Sequence, residues 1–289
     1  MNPDLIKAID PLEYQRKFLD AGIRADGRSG LSSARPIEIS RDVVRTALAS
    51  AACTIGNTRV VVGITAGVFA LPDGVVAPAQ SGIVKVNSDF SLSILYDRKL
   101  AQRTATLFSA RMETLMTRIF DMSQLTADVV NQKPDLGISS PETEPRPVWD
   151  MHVNVLVVND DGSVFDAAVI AAIAAIQATR LPPINKELKI VPNMEPRQLS
   201  VRGSVVPLSF CQYQEGEESF IVDPSRDEEH LFPRYYVVVS EAGEVIFADG
   251  PDSTQLEKII VAPLSLDQAL GRLVGMVDPK TRLATISSN

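Results

Sequence analysis

Between Asp166 and Arg180 the chain is built almost wholly from Ala, Ile and Val. At a helical period these apolar residues fall on every side, leaving no polar stripe for solvent, so the segment predicts a helix covered on most sides. Its longest apolar run, Ala167 to Ile176, is roughly half of the ~20 residues a membrane span needs. The cover must therefore come from the rest of the protein. An apolar strand, Met151 to Val158, precedes the helix, and Asn159-Asp160-Asp161-Gly162 is a strong turn between them. Pro182-Pro183 stops the helix.

The flanking segments supply possible covering layers. Asp10, Pro11 and Glu13 form the start signal of a first helix, with Tyr14 and Phe18 four apart on one face and Gly22 at its end. The loop Arg24-Ala25-Asp26-Gly27-Arg28 follows and reads as exposed. From Pro36 to Val68 the pattern is a β-meander: Val44, Thr46 and Leu48 alternate, Gly56-Asn57 marks a turn, and Arg59 to Ile64 is rich in β-branched residues. Leu71 to Gln80 and Pro134 to Pro147 read as loops. Leu100 to Met122 is an amphipathic helix, with Phe108, Met112, Leu115, Ile119 and Met122 on its apolar side. Two further strand pairs are expected, Ser204–Tyr213 with Ser219–Val222 and Arg234–Ser240 with Glu244–Ala248, then a last helix from Ser265 to Val277. Strands and helices in this order argue for an α+β fold with segregated layers.

The sequence holds little of the usual catalytic equipment. Its two histidines, His152 and His230, have no metal-spaced partner, and neither a nucleophile elbow nor a phosphate-binding glycine loop occurs. His152 reads as a packed strand residue and His230 as part of a solvated acidic loop. Asp223, Asp227, Glu228 and Glu229 form the one constellation with chemical content. Convergent carboxylates there would hold a divalent metal or act as general acid and base, against the plainer reading of a charged surface turn. On the amphipathic helix Arg111 and Arg118 are seven apart, with Arg103 above them. Such a stripe contacts phosphates, or is an ordinary solvated face paired with Glu113 or Asp121. Arg24 and Arg28 flank Asp26-Gly27, as a loop held by salt bridges would.

Charge limits what the arginines can mean. The net charge is −8, whereas free-standing nucleic-acid binders are usually basic. An RNA role would rest on a local patch or on basic partners. Cys53 and Cys211 are the only cysteines, too few for a disulfide framework or a zinc site, and a reducing compartment is expected. No secretory signal is read in Met1 to Ala8.

Several segments together resemble the ribonuclease PH family. They are Pro11-Leu12-Glu13-Tyr14 with Phe18-Leu19 and Arg24-Ala25-Asp26-Gly27-Arg28; Gly56-Asn57-Thr58 with Val60-Val61-Val62-Gly63; Asn159-Asp160-Asp161-Gly162 running into Asp166-Ala167-Ala168; and Ile221-Val222-Asp223-Pro224-Ser225 with Asp227-Glu228-Glu229-His230-Leu231. The resemblance spans about residues 10 to 280. It implies the ribonuclease PH fold, a ribosomal protein S5 domain 2-like β-α-β-α core with a second, smaller α+β domain. The implied division is an N-terminal helix and loop (1–30), domain 1 (31–198) and domain 2 (199–289). Within the family the likeness is to exosome ring subunits of the non-catalytic type. The tyrosine-bearing start and Glu228-Glu229-His230-Leu231 resemble the component-eight type of the animal naming, subunit forty-three of the yeast series.

That likeness implies an RNA-guiding scaffold for 3′-to-5′ RNA processing and degradation. Its implied partners are other ribonuclease PH-like subunits in a six-membered ring, S1/KH-type cap subunits, RNA and an associated catalytic nuclease. It implies no cofactor, no metal and no membrane, in the nucleus, nucleolus and cytoplasm. Active members carry Gly-Thr-Arg after the turn Asp to hold the attacking phosphate, and here Ser163-Val164-Phe165 stand at those positions. Losing a preorganised donor to developing charge costs ~10²–10³ in rate. The family's catalytic carboxylate lies six residues beyond the Asp matched by Asp223, where Glu229 stands. The expected outcome is a degenerate site at Val164, Phe165, Asp223 and Glu229 with no catalysis. Arg118 matches a channel arginine of the family best, while a second expected arginine is Asp121. The alternatives are an active phosphate-dependent exoribonuclease and a metal-dependent hydrolase using Asp223 to Glu229.

Overall fold

The computed structural model describes residues 7–69, 82–91, 98–130, 147–192, 194–214, 220–240 and 244–251. The expected loop Leu71–Gln80, most of the loop Pro134–Pro147, the turns at 215–217 and 241–243 and the expected last helix lie outside them.

Helix α1, Pro11–Asp20, starts where Asp10 accepts a hydrogen bond from the Glu13 amide at 3.0 Å. Strands β1 (Ile37–Arg41), β2 (Ala49–Ile55) and β3 (Thr58–Phe69) form the meander, with the turn at Gly56-Asn57. Val44 to Leu48, expected to be a strand, is a loop. The Ser50 hydroxyl accepts from the Val44 amide at 2.8 Å, and β2 pairing begins only at Ala49. Side-chain capture of that backbone amide replaces a ladder bond, and Leu48 stays half exposed.

Strand β4 (Ile83–Phe90), helix α2 (Arg98–Ile119) and strand β5 (Val148–Asn159) form a crossover, with β4 parallel to β5. The sheet order is β1-β2-β3-β5-β4. Helix α2 lies over the β4 edge: Glu113 accepts from the Val86 amide at 3.0 Å and Ser88 Oγ donates to the Ala105 carbonyl at 2.7 Å. An otherwise open edge is thereby closed to other strands.

Helix α3 runs from Val164 to Ala178, one half-turn earlier than its composition predicts, and every residue from Val164 to Ile176 is buried. It lies between β2 and β3 of the first sheet and β8 (Val205–Gln212) of the second, after which the two-residue strands β6 (Arg180–Leu181) and β7 (Arg197–Gln198) pair. The second sheet has the order β11-β10-β8-β9, all antiparallel, with β9 at Phe220–Val222, β10 at Arg234–Ser240 and β11 at Val245–Asp249. Tyr236, Val238 and Phe247 of this sheet join one continuous core with α2, α3 and the first sheet. A short helix α4, Arg226–Leu231, follows β9.

Candidate functional site

The turn before α3 and the β9–α4 connection meet at one end of the helix. Gly162, at φ +89°, leaves no room for a side chain, because a Cβ there would lie 2.2 Å from the Pro224 carbonyl oxygen. Thr58 pins the turn from the β2–β3 hairpin, its Oγ donating to the Gly162 carbonyl (2.6 Å) and accepting from the Asp161 amide (2.9 Å).

Asp223 has a left-handed backbone, φ 50°, which suits Asp better than most residues. Its carbonyl accepts from Arg24 (3.0 Å) and Arg28 (2.9 Å), and its carboxylate is gripped by Arg35 through Nε (3.0 Å), Nη2 (2.7 Å) and the Arg35 amide (2.7 Å). Arg35 also donates to the Asp161 carbonyl at 2.6 Å, so one side chain joins both loops. Arg24, expected in an exposed loop, is completely buried. Its guanidinium pairs with both oxygens of buried Glu228 and caps the Val222 carbonyl at 2.9 Å. The loop folds inward because each guanidinium donor finds an oxygen there, which burial of the charge requires. Glu228 also accepts from the Ser225 amide at 2.7 Å, starting α4.

Glu229 reaches back to α3. One carboxylate oxygen accepts from the Ser163 amide at 2.7 Å and the other from Arg234 at 3.2 Å. Burial raises its pKa to about 7, with Arg234 and the Ser163 amide opposing and Asp160 adding to the rise. Asp166, one turn into α3, accepts from the Ser209 amide (2.9 Å) and hydroxyl (2.7 Å). Burial raises its pKa too, to about 7; the Ser209 bonds oppose this, and Asp223 and Glu229 add to it.

The sequence-matched positions divide. Asp223 and Glu229 belong to this junction. Val164 and Phe165 lie in the first turn of α3 and point into the core. The Phe165 ring stacks on Phe247 (5.7 Å between centroids) and contacts Tyr236 (5.0 Å) and Phe108 (6.0 Å). Arg111 pairs with Asp249 and lies over the Tyr236 ring at 5.2 Å; Arg118 donates to the Ile246 carbonyl at 2.6 Å. Both therefore bind α2 to β11, whereas Arg103 is exposed higher on the helix. The acidic cluster does not converge on one point: Asp223 goes to Arg35 and Arg28, Asp227 to Lys7, Glu228 to Arg24 with Arg28 at 4.0 Å, and Glu229 to Ser163 and Arg234. Among the described residues no three metal-ligating side chains gather. His152 lies between Asp150 and Asn87 on the outer sheet face, and His230 beside Arg226 on α4. Arg35, Arg234 and Ser209 carried no sequence signal and Asp166 none of its bond to Ser209, since their partners lie 43 or more residues away, apart from the pair Arg234–Glu229.

Residues 33–182 match the family model described as 3′ exoribonuclease family, domain 1. The chain belongs to that family. Relatives include the exosome complex component Rrp42 of Methanosarcina acetivorans, 27% identical over 88% of this chain and 84% of its own length, and that of Methanopyrus kandleri, 29% identical over 78% and 79%. Among solved structures, an archaeal exosome core chain superposes with a TM-score of 0.66 at 23% identity, covering 93% of this chain and 98% of its own. A chain of the Archaeoglobus fulgidus exosome with RNA bound to the active site gives 0.68 at 22% identity, covering 92% and 97%. These likenesses establish the family's α+β fold for the chain.

Proposed function

We propose that this chain is a non-catalytic ring subunit of an RNA exosome, acting as scaffold and as part of the wall along the RNA path. Its family and the names of its relatives support the exosome assignment. One observation carries the non-catalytic part. Where the family resemblance expects a phosphate-binding arginine, Phe165 is packed inside an aromatic cluster. An apolar ring in the core donates nothing to an anion. Glu229 adds to this, because its carboxylate occupies the Ser163 amide that an anion would otherwise use. The test is phosphate-dependent release of nucleoside diphosphates from the 3′ end of an oligoribonucleotide. The purified chain alone is expected to release none, and turnover by the chain alone would overturn the reading.

The expected ring of six, the S1/KH-type cap subunits and the associated nuclease extend the same proposal. Native mass of the tagged chain tests them, with a stoichiometric assembly of several different proteins as the expected result. The component-eight type rests on the sequence start and on Glu228-Glu229-His230-Leu231, and the neighbours recovered in that assembly test it. Division near residue 198 into two ribonuclease PH domains belongs to this reading, as does residence in nucleus, nucleolus and cytoplasm, which imaging of the tagged chain checks. For RNA contact Arg118 is the favoured residue, since it is exposed and donates to a neutral carbonyl, whereas Arg111 is neutralised by Asp249. Arg118→Glu in the assembled ring is expected to weaken RNA threading and flatten its salt dependence.

A further inference from the structure

We propose that β1 is a docking edge for an extended, cationic segment of a partner protein, added as a sixth strand to the five-stranded sheet. Strand β1 pairs with β2 and with no other strand among the described residues. The register fixes which backbone groups that pairing uses. The Gly56 amide donates to the Pro36 carbonyl and the Asp42 amide to the Ser50 carbonyl, so Pro36, Glu38, Ser40 and Asp42 are the residues turned towards β2. In an antiparallel ladder the residues between them face the other way. The amides and carbonyls of Ile37, Ile39 and Arg41 therefore point out of the sheet, and none of the described residues bonds to them.

The other outer edges of the two larger sheets are engaged. On β4 the Val86 amide is held by Glu113, on β9 the Val222 amide donates to the Leu31 carbonyl at 2.9 Å, and on β11 the Ile246 carbonyl accepts from Arg118. An uncovered edge is a template for another strand, and proteins usually block one with a proline, a bulge or a covering segment. Strand β1 contains no proline and keeps an unbroken register from Ile37 to Arg41. An antiparallel strand laid on it would exchange about two bonds with each of Ile37, Ile39 and Arg41.

The ladder demands a polypeptide, and the side chains choose its character. Ile37 and Ile39 pack against the main core yet stay partly uncovered. Residues paired with them lie on the same face of the sheet, so apolar side chains there would complete their cover. Glu38 and Ser40 are exposed on the opposite face, and exposed Asp42 follows the strand. Neither carboxylate meets a cation among the described residues. Arg41, the cation of the strand, lies on the inner row with Ile37 and Ile39. The occupant that satisfies both rows alternates apolar and cationic residues. A second copy of this chain would bring the same carboxylates and a net charge of −8, while RNA and anionic lipid are repelled by them and offer no peptide ladder. The inference rests on β1 and not on membership of an exosome ring.

The experiment uses the full chain and a fluorescent peptide of about nine residues in which valine and lysine alternate. A dissociation constant on the order of 10 μM is expected by fluorescence anisotropy. Hydrogen exchange followed by NMR locates the complex. Binding is expected to slow exchange at the Ile37, Ile39 and Arg41 amides, while those of Glu38 and Ser40, already in the ladder, change little. In this pairing the valine amides face β1 and the lysine amides face water. N-methylation of the valines is therefore expected to abolish binding, and N-methylation of the lysines to spare it. Glu38→Lys, at an exposed position, is expected to weaken binding about tenfold with unchanged circular dichroism. A peptide with glutamates for lysines is expected not to bind. No binding of the lysine peptide, equal binding of the glutamate peptide, indifference to Glu38→Lys or to the place of methylation, or protection at other amides would each overturn the proposal. So would a dimer of the chain, or an oligoribonucleotide, that protects the three edge amides in place of the peptide.

Discussion

Arg24 is a charge placed where water cannot reach it, and its stability rests on the completeness of its partners. Glu228 and the carbonyls of Ser33, Val222 and Asp223 take its donors. Removing one member of such a pair strands the other charge. Arg24→Met is therefore expected to cost about 3–5 kcal/mol in urea unfolding, and Arg24→Met with Glu228→Leu less than the sum of the two single changes. Asp166 makes a different prediction. Its pKa is about 7 in the folded chain against an ordinary 3.8, so folding favours the protonated form. Stability from this residue is complete below about pH 4 and declines as pH rises towards 7. Asp166→Asn keeps an acceptor for the Ser209 amide and a donor for its hydroxyl while removing the titration. The melting temperature of the variant relative to wild type is expected to rise by at least about 3 °C between pH 5 and pH 8. Glu229 titrates in the same range, so the double variant with Glu229→Gln should flatten the profile further. That Arg24 and Arg28 hold their loop by salt bridges was legible, but their distant partners were not. The bond from Arg35 to Asp223 spans 188 positions, and nothing local to either residue announces it.

At the scale of elements, α3 and its first turn decide the most. Its burial was legible, because a helix without a polar side has to be enclosed. Its start was not, since Val164 and Phe165 enter the helix only because Gly162 and Ser163, both at positive φ, turn the chain sharply before it. Phe165→Arg would replace a ring touching Phe108, Tyr236 and Phe247. The expected outcome is loss of stability of at least about 3–5 kcal/mol, the range for truncating such a ring, and no gain of phosphate binding by calorimetry. Helix α2 covers the β4 edge through Glu113, and Glu113→Ala leaves the Val86 amide without its acceptor. A cost of about 1–3 kcal/mol is expected, with faster hydrogen exchange along β4. The amphipathic pattern of α2 placed Phe108, Met112, Leu115 and Ile119 on the buried side. It did not reveal that Arg111 and Arg118 serve β11, because Ile246, whose carbonyl Arg118 bonds, lies 128 positions further along the chain.

For the whole molecule, the Arg35–Asp223 clasp joins the two sheets at the head of α3, and Arg35 reaches both loops at once. Arg35→Met is expected to speed hydrogen exchange at residues 161–163 and 222–229 together, because one guanidinium holds both. Short-range periodicity sets an enclosed apolar helix, strand pairs on either side of it, a capped first helix and an acidic surface. Each depends on the order of side chains within a few turns or a few strand residues, where pattern and propensity act. The tertiary structure alone decided which charges meet. Arg24 turned inward, the acidic residues after β9 spread among several cations, and the expected strand at Val44 became a loop because Ser50 captured its amide. Such pairings follow from where the backbone brings distant donors and acceptors once water is excluded, and a linear pattern carries no record of that distance.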